Sequence, residues 1–141
     1  MLIAVGVLLF LAISGLLARF LSTENVERDD LLAVLKAQAA GDPRGMLDRL
    51  SGCHVGTSCA ATVQANAGRL RRPGAVKILT LKSSTSYSLT ASSGKTRVAW
   101  TVIGRLPVVQ CAQVRRTGDL LRGISVTLLS LSPPISNTGV C

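Results

Sequence analysis

The stretch "RRPGAVKILTLKS", residues 71–83, decides the fold, because the hydrophobic period changes within it. Before Pro73-Gly74, apolar residues recur three and four apart, the spacing of a helix with one buried face. After it they alternate, the spacing of a strand with one face on a core. The cleanest case is "TRVAWTVI", residues 96–103: Val98, Trp100 and Val102 face one way, and Arg97, Ala99 and Thr101 the other. "AVKILTLKS" and "TSYSLTA" read as strand, joined by a serine-rich bend or bulge at 83–85, and "SSGK", residues 92–95, reads as a turn. "GRLP" turns the chain before a strand "VVQCAQVRR", residues 108–116. Thr117-Gly118-Asp119 is the next expected turn. "LLRGISVTLLSLS" is the last strand, with Ile124, Val126 and Leu128 opposite Ser125, Thr127 and Leu129, and it stops at Pro133-Pro134.

Working back from Pro73, "CAATVQANAGRLRR" predicts a helix capped by Ser58 and burying Val63 and Leu70. "PRGMLDRLS" predicts a short helix presenting Met46, Leu47 and Leu50, with Asp42 as N-cap and Pro43 as first helical residue. "VERDDLLAVLKAQAA" places Leu31, Val34, Leu35 and Gln38 along one side; Ser22 or Thr23 can cap it, and Gly41 stops it. Helices grouped before strands indicate an α+β class. We expect three helices packed on a curved antiparallel sheet of about four strands.

From Met1 to Ala18 there is no charge and no proline. At about 1.5 Å per residue that run spans roughly 27 Å, close to the hydrocarbon thickness of a bilayer. Phe20 and Leu21 extend it past Arg19, whose side chain can snorkel. The expectation is a transmembrane anchor over 1–22, a domain over 23–135 and a tail over 136–141. A cleaved signal peptide is the alternative, but no basic residue follows Met1, and cutting after Ala12-Ile13-Ser14 would leave the stub "GLLARFL". No cysteine is placed for a lipid anchor.

Four cysteines allow three pairings. Cys53 and Cys59 are too far apart for a zinc knuckle or a C-x-x-C redox pair. A disulfide across the "CHVGTSC" loop fits better, with Gly52 and Gly56 giving the backbone freedom. Cys111 and Cys141 then form the second bridge, holding the tail. His54, the single histidine, reads as a solvated loop residue. Disulfides persist outside the cytosol, so we expect the domain on the extracytoplasmic side of a bacterial envelope. Arg19, Arg28 and Lys36 follow the apolar run and by themselves would argue for the cytoplasm. The cysteines weigh more, because the chain starts directly in the apolar run and a short basic leader is expected to be missing.

The order of helix, short second helix "GDPRGMLDRL", third helix and long closing strands resembles the nuclear transport factor 2-like (cystatin-like) superfamily over residues 26–135. "AQAAGDPRGMLDRL" is similar to its link between the first two helices, and "RRTGDLLRGISVTLLSLSPPI" to its last hairpin. An anchor followed by such a domain is similar to membrane-bound subunits of conjugation-type secretion systems and to accessory proteins of actinobacterial lipid import. The resemblance implies a cone-shaped space between sheet and helices. Enzymes of that superfamily project acids and histidines into it.

Here that chemistry is missing. The seven acids are Glu24, Glu27, Asp29, Asp30, Asp42, Asp48 and Asp119, and none falls on a predicted strand. No pair converges for acid–base work. "SSGKTR" lacks the first glycine of a phosphate-binding loop and is flanked by strands on both sides. No catalytic residue, cofactor motif or metal set is identified. The net charge is +9, and basic residues gather at Arg69, Arg71, Arg72, Lys77, Arg115 and Arg116. Such charge attracts anionic lipid, cell-wall polymer or nucleic acid. With one Trp, one Tyr and two Phe, the base-stacking side chains of single-strand binders are scarce, which disfavours nucleic acid. The expected function is a membrane-anchored, non-enzymatic binding or scaffolding domain within an envelope protein complex. The alternatives are a small-ligand or enzymatic domain using the cone, and a pilin-like subunit, which lacks its usual early glutamate.

Overall fold

A computed structural model describes the backbone of residues 2–85, 91–119 and 123–141; side chains at 2, 19–24, 85, 91, 119 and 123–124 lie outside the description. Three helices precede four strands: α1 (Leu2–Ala40), α2 (Pro43–Leu47), α3 (Ser58–Arg69), β1 (Val76–Thr85), β2 (Ala91–Val102), β3 (Val108–Asp119) and β4 (Gly123–Leu131). The strands form one antiparallel sheet in the order β1-β2-β3-β4, so each neighbours the next in sequence. The α+β class is as expected.

The helix ends follow the local chemistry. α1 stops at Gly41, which takes φ +75°, a conformation open to glycine. Asp42 caps α2, its carboxylate accepting from the Gly45 N–H at 3.0 Å, and Pro43 is the first helical residue. α3 is capped by Thr57, one residue before the expected Ser58, through a hydrogen bond from the Ala60 N–H.

α1 corrects one boundary. It is a single helix of 39 residues, running without a break through the expected anchor and the expected cap at Ser22 or Thr23. Among the described residues no helix is long and apolar enough to cross a membrane. The expected transmembrane span over 1–22 is therefore not supported by the described residues.

The core lies between α1, the short helices and one face of the sheet. Leu31, Val34, Leu35 and Ala39 of α1 are buried against Val98, Trp100 and Val102 of β2 and Ala112 and Val114 of β3. Met46, Leu50, Val63 and Leu70 close it from the side. Each fully buried side chain of this size contributes about 1.5–3 kcal/mol.

Two bulges break the strict alternation. Leu79 is the extra residue between Ile78 (opposite Trp100) and Thr80 (opposite Ala99), so it is half-exposed while Ile78 and Leu81 both face inward. Leu129 is the extra residue in β4, between Ser130 (opposite Gln113) and Leu128 (opposite Val114). Leu128 and Leu131 are therefore both buried. Bulges bend a strand and re-aim its side chains.

Two expected turns lie inside strands. Residues 92–95 belong to β2, where Lys95 pairs with Ser84 and Gly94 with Thr85. Thr117-Gly118-Asp119 belongs to β3, opposite Ser125-Ile124-Gly123. The expected bend at 83–85 is regular strand, with the Ser84 hydroxyl donating to the Lys95 carbonyl at 2.7 Å. Pairing with the neighbouring strand satisfies backbone groups that a glycine- or serine-rich sequence leaves undecided. The strand expected at 86–90 and the start of the last strand at 120–122 lie outside the described residues. "GRLP" is a turn as expected, with Gly104 at φ +78°.

Candidate functional site

The feature that ties helix to sheet is a buried carboxylate. Glu27 lies one turn before Leu31 on the buried stripe of α1 and is 1% exposed. Its Oε1 accepts hydrogen bonds from the hydroxyls of Thr96 and of Ser83, the latter at 3.2 Å. Its Oε2 accepts from the Arg116 guanidinium, through Nε at 3.1 Å and through Nη2. Arg116 is therefore committed to an internal ion pair and is not part of a free basic surface. A buried charge is tolerable only with such partners.

Eleven residues on, Gln38 reaches the other end of the sheet. Its side chain exchanges two hydrogen bonds with Gln110, at 3.0 and 3.2 Å. The Gln110 carbonyl oxygen also accepts from the Trp100 indole N–H at 2.8 Å, and its amide donates to the Ser132 carbonyl. Trp100, Leu35, Val98 and this network fill the space between α1 and the sheet, where the resemblance implied a cone-shaped cavity. Every buried polar side-chain atom among the described residues has a partner.

The four cysteines form the two expected bridges. Cys53 and Cys59 have Cα atoms 5.1 Å apart, and Cys111 and Cys141 5.7 Å apart. The second bridge holds the tail against β3, an inner strand. Ser132 and Ile135 donate backbone hydrogen bonds to Cys111 and Val109. Arg97 then grips the returning tail through the carbonyls of Gly139 and Asn137. A cleft of about 410 Å³ opens beside this tail. Lys95, Gln113, Ser58, Thr62 and Ser130 supply its polar lining, and the Cys111–Cys141 bridge lies along it. Among the described residues no acidic side chain lines it, so it offers no pair of side chains for acid–base work.

The sequence-predicted basic residues do not form one patch. Arg69, at the end of α3, and Arg71, just beyond it, are exposed, and Arg72 is bound to the α1 end, its N–H donating to the Ala39 carbonyl and its side chain to the Leu106 carbonyl. Lys77 pairs with Thr101, at the same end of the sheet. Arg115 lies at the other end, exposed on the outer face. There the fold adds cations that sequence reasoning did not select. Lys82 is directly opposite Arg97, and Lys95 is the next outward residue along β2. Glu27 and Gln110 were missed too, although spacing marks both. Glu27 precedes Leu31, Val34, Leu35 and Gln38 by 4, 7, 8 and 11 residues, and Gln110 shares the inward parity of Val108 and Ala112.

His54 is exposed in the first disulfide loop. Among the described residues no group of three or more His, Cys, Asp or Glu side chains is placed to hold a metal ion. The fold and its surfaces define a disulfide-stapled α+β domain carried on a long, partly bare helix. Compared with protein-family models, curated proteins and solved structures, the chain matches none.

Proposed function

We propose that the chain is an extracytoplasmic domain held at a membrane by its N-terminal helix, where it acts as a non-enzymatic binding or scaffolding module. One observation carries this reading. The described start of α1 is apolar on every side and bare: Ile3 is 84% exposed, Phe10 69% and Leu17 58%. A helix apolar all round needs a lipid or protein surround. The uncharged run of residues 1–18, about 27 Å at helical rise, can be matched to a bilayer with snorkelling of flanking side chains. The two disulfides support an oxidising compartment. The element order supports the resemblance to the nuclear transport factor 2-like superfamily.

The test is alkaline extraction of membranes from cells expressing the full chain, with intact-mass analysis before and after reduction. The expected result is a protein that stays with the membrane and carries no alkylatable thiol until reduced. A freely soluble product with four reactive thiols overturns the proposal. A second reading, a domain that binds a small ligand, is favoured by the cleft beside Lys95. Its test is a shift in the thermal transition with small polar anions that is lost in Lys95→Gln.

A further inference from the structure

The outer face of the sheet carries an unbroken set of cations. Lys82 opposes Arg97 across β1 and β2, Lys95 is two residues along, and Arg115, opposite Ser93, is its diagonal neighbour on β3. Directly opposed strand positions are about 4.5–5.5 Å apart and diagonal ones about 7–8 Å, so these charges repel unless an anion is near. Arg97 donates to two tail carbonyls, which satisfy its N–H groups without removing its charge. Lys82, Lys95 and Arg115 are exposed, and among the described side chains no carboxylate lies on this face. Asp29 and Asp30 are at the same level but on the exposed side of α1, with the helix and the sheet in between.

The level of these three cations is fixed by Glu27. Its partners Ser83, Thr96 and Arg116 are the immediate chain neighbours of Lys82, Lys95 and Arg115. Glu27 follows Ala18, the end of the uncharged run, by nine residues, about 14 Å along a helix. A lysine or arginine side chain reaches back roughly 6 Å, and the headgroup layer is about 5–8 Å deep on each side. The cationic ends thus fall within about one Debye length, roughly 8 Å, of the headgroups. The other basic group is remote: Arg72 is bonded to Ala39, some 32 Å of helix beyond Ala18.

We propose that Lys82, Lys95 and Arg115 contact anionic phospholipid headgroups of the leaflet from which α1 emerges, setting the tilt of the domain on the membrane. This rests on the membrane-anchored reading. The test places a photo-cross-linking residue at Ser93, which faces outward beside Arg115. The full chain is reconstituted in vesicles of phosphatidylcholine alone or mixed with phosphatidylglycerol. Lipid adducts should be on the order of a hundred-fold more abundant in the anionic vesicles, since each of the three basic side chains near such a surface contributes about five-fold. The excess should vanish when salt shortens the Debye length to about 3 Å. It should be lost in Lys82→Gln/Lys95→Gln/Arg115→Gln and kept in Arg69→Gln/Arg71→Gln/Lys77→Gln. All six positions are exposed, and single Arg115→Gln provides a milder second variant.

Flotation of the same samples separates the two readings. A chain that floats on both compositions with equal adducts overturns the lipid contact and leaves the anchor standing. A chain that floats on neither overturns both. Adducts that appear only on an added soluble anionic polymer overturn the lipid contact in favour of a cell-wall partner.

Discussion

Glu27 of α1 and Arg116 of β3 form a buried ion pair that fixes the helix to the sheet at the end where the bare apolar segment leaves the domain. Thr96 and Ser83 complete the carboxylate's shell, so three strands converge on one helical side chain. Removing the carboxylate leaves the guanidinium half-buried without its counter-ion. Glu27→Ala should cost about 3–5 kcal/mol, read as the shift in a urea transition, because breaking one partner of a buried pair is far worse than removing both. Glu27→Ala/Arg116→Ala should therefore recover part of the loss. Equal losses in the single and double variants would mean that the pair contributes through packing alone.

The second lock is the Gln38–Gln110 exchange beneath Trp100. Gln110→Ala removes the acceptor of the indole N–H and both partners of Gln38. Unsatisfied buried groups cost about 1–3 kcal/mol each, beyond the cavity left behind. We expect a loss of about 3–5 kcal/mol by denaturant titration and a shift in Trp100 emission in the folded state. Trp100→Phe keeps most of the apolar contact but leaves the Gln110 oxygen one donor short, and should cost about 1–3 kcal/mol.

Much of this architecture is legible in the residues, and what is not has identifiable causes. The α1 stripe, the Asp42-Pro43 start, the inward triplet Val98, Trp100 and Val102, and both disulfides follow from spacing and capping chemistry. The bounds of the hairpins do not. Ser92-Ser93-Gly94-Lys95 has turn composition, yet it is strand, because β3 pairs with all four residues and β1 with Gly94 and Lys95, satisfying their backbone. Leu128 and Leu131 are three apart, a spacing that alternation forbids, and only the bulge at Leu129 lets both face the core. Of the candidate surface, Arg115 was visible, but the association of Lys82, Lys95 and Arg115 depends on strand register, which one sequence does not reveal. Arg116 looked like its neighbour Arg115 and has the opposite fate, because successive strand residues point to opposite faces.

The two disulfides should differ in weight. Cys111–Cys141 closes a separation of 30 residues and Cys53–Cys59 one of 6. Loop-closure entropy then assigns about 3–4 kcal/mol to the first and about 2 kcal/mol to the second. Cys141→Ser/Cys111→Ser should also free the tail, and the amides of Ile135 and Gly139 should lose hydrogen-exchange protection while those of α1 keep it. Cys53→Ser/Cys59→Ser should leave tail protection unchanged. Loss of α1 protection in the Cys111 variant would show that the tail is integral to the core instead of covering the outer face.

A sharper test of the packing comes from two glycines in the same loop region. Gly52 has no left-handed backbone requirement, but its N–H donates to the Leu129 carbonyl, and a Cβ there would fall 2.6 Å from that oxygen. Gly56 has φ +89° with open space around it. Gly56→Ala therefore meets only backbone strain, about 1–2 kcal/mol. Gly52→Ala must push β4 away from the segment 51–53, breaking the hydrogen bonds from Ser51 and Gly52 to Leu128 and Leu129. Two lost backbone bonds plus the displaced bulge give about 2–4 kcal/mol. The expected order, Gly52→Ala worse than Gly56→Ala by thermal melting, is the reverse of what backbone angles alone would give. Finding Gly56→Ala the more damaging would mean that the segment 51–53 is not seated on the Leu129 bulge.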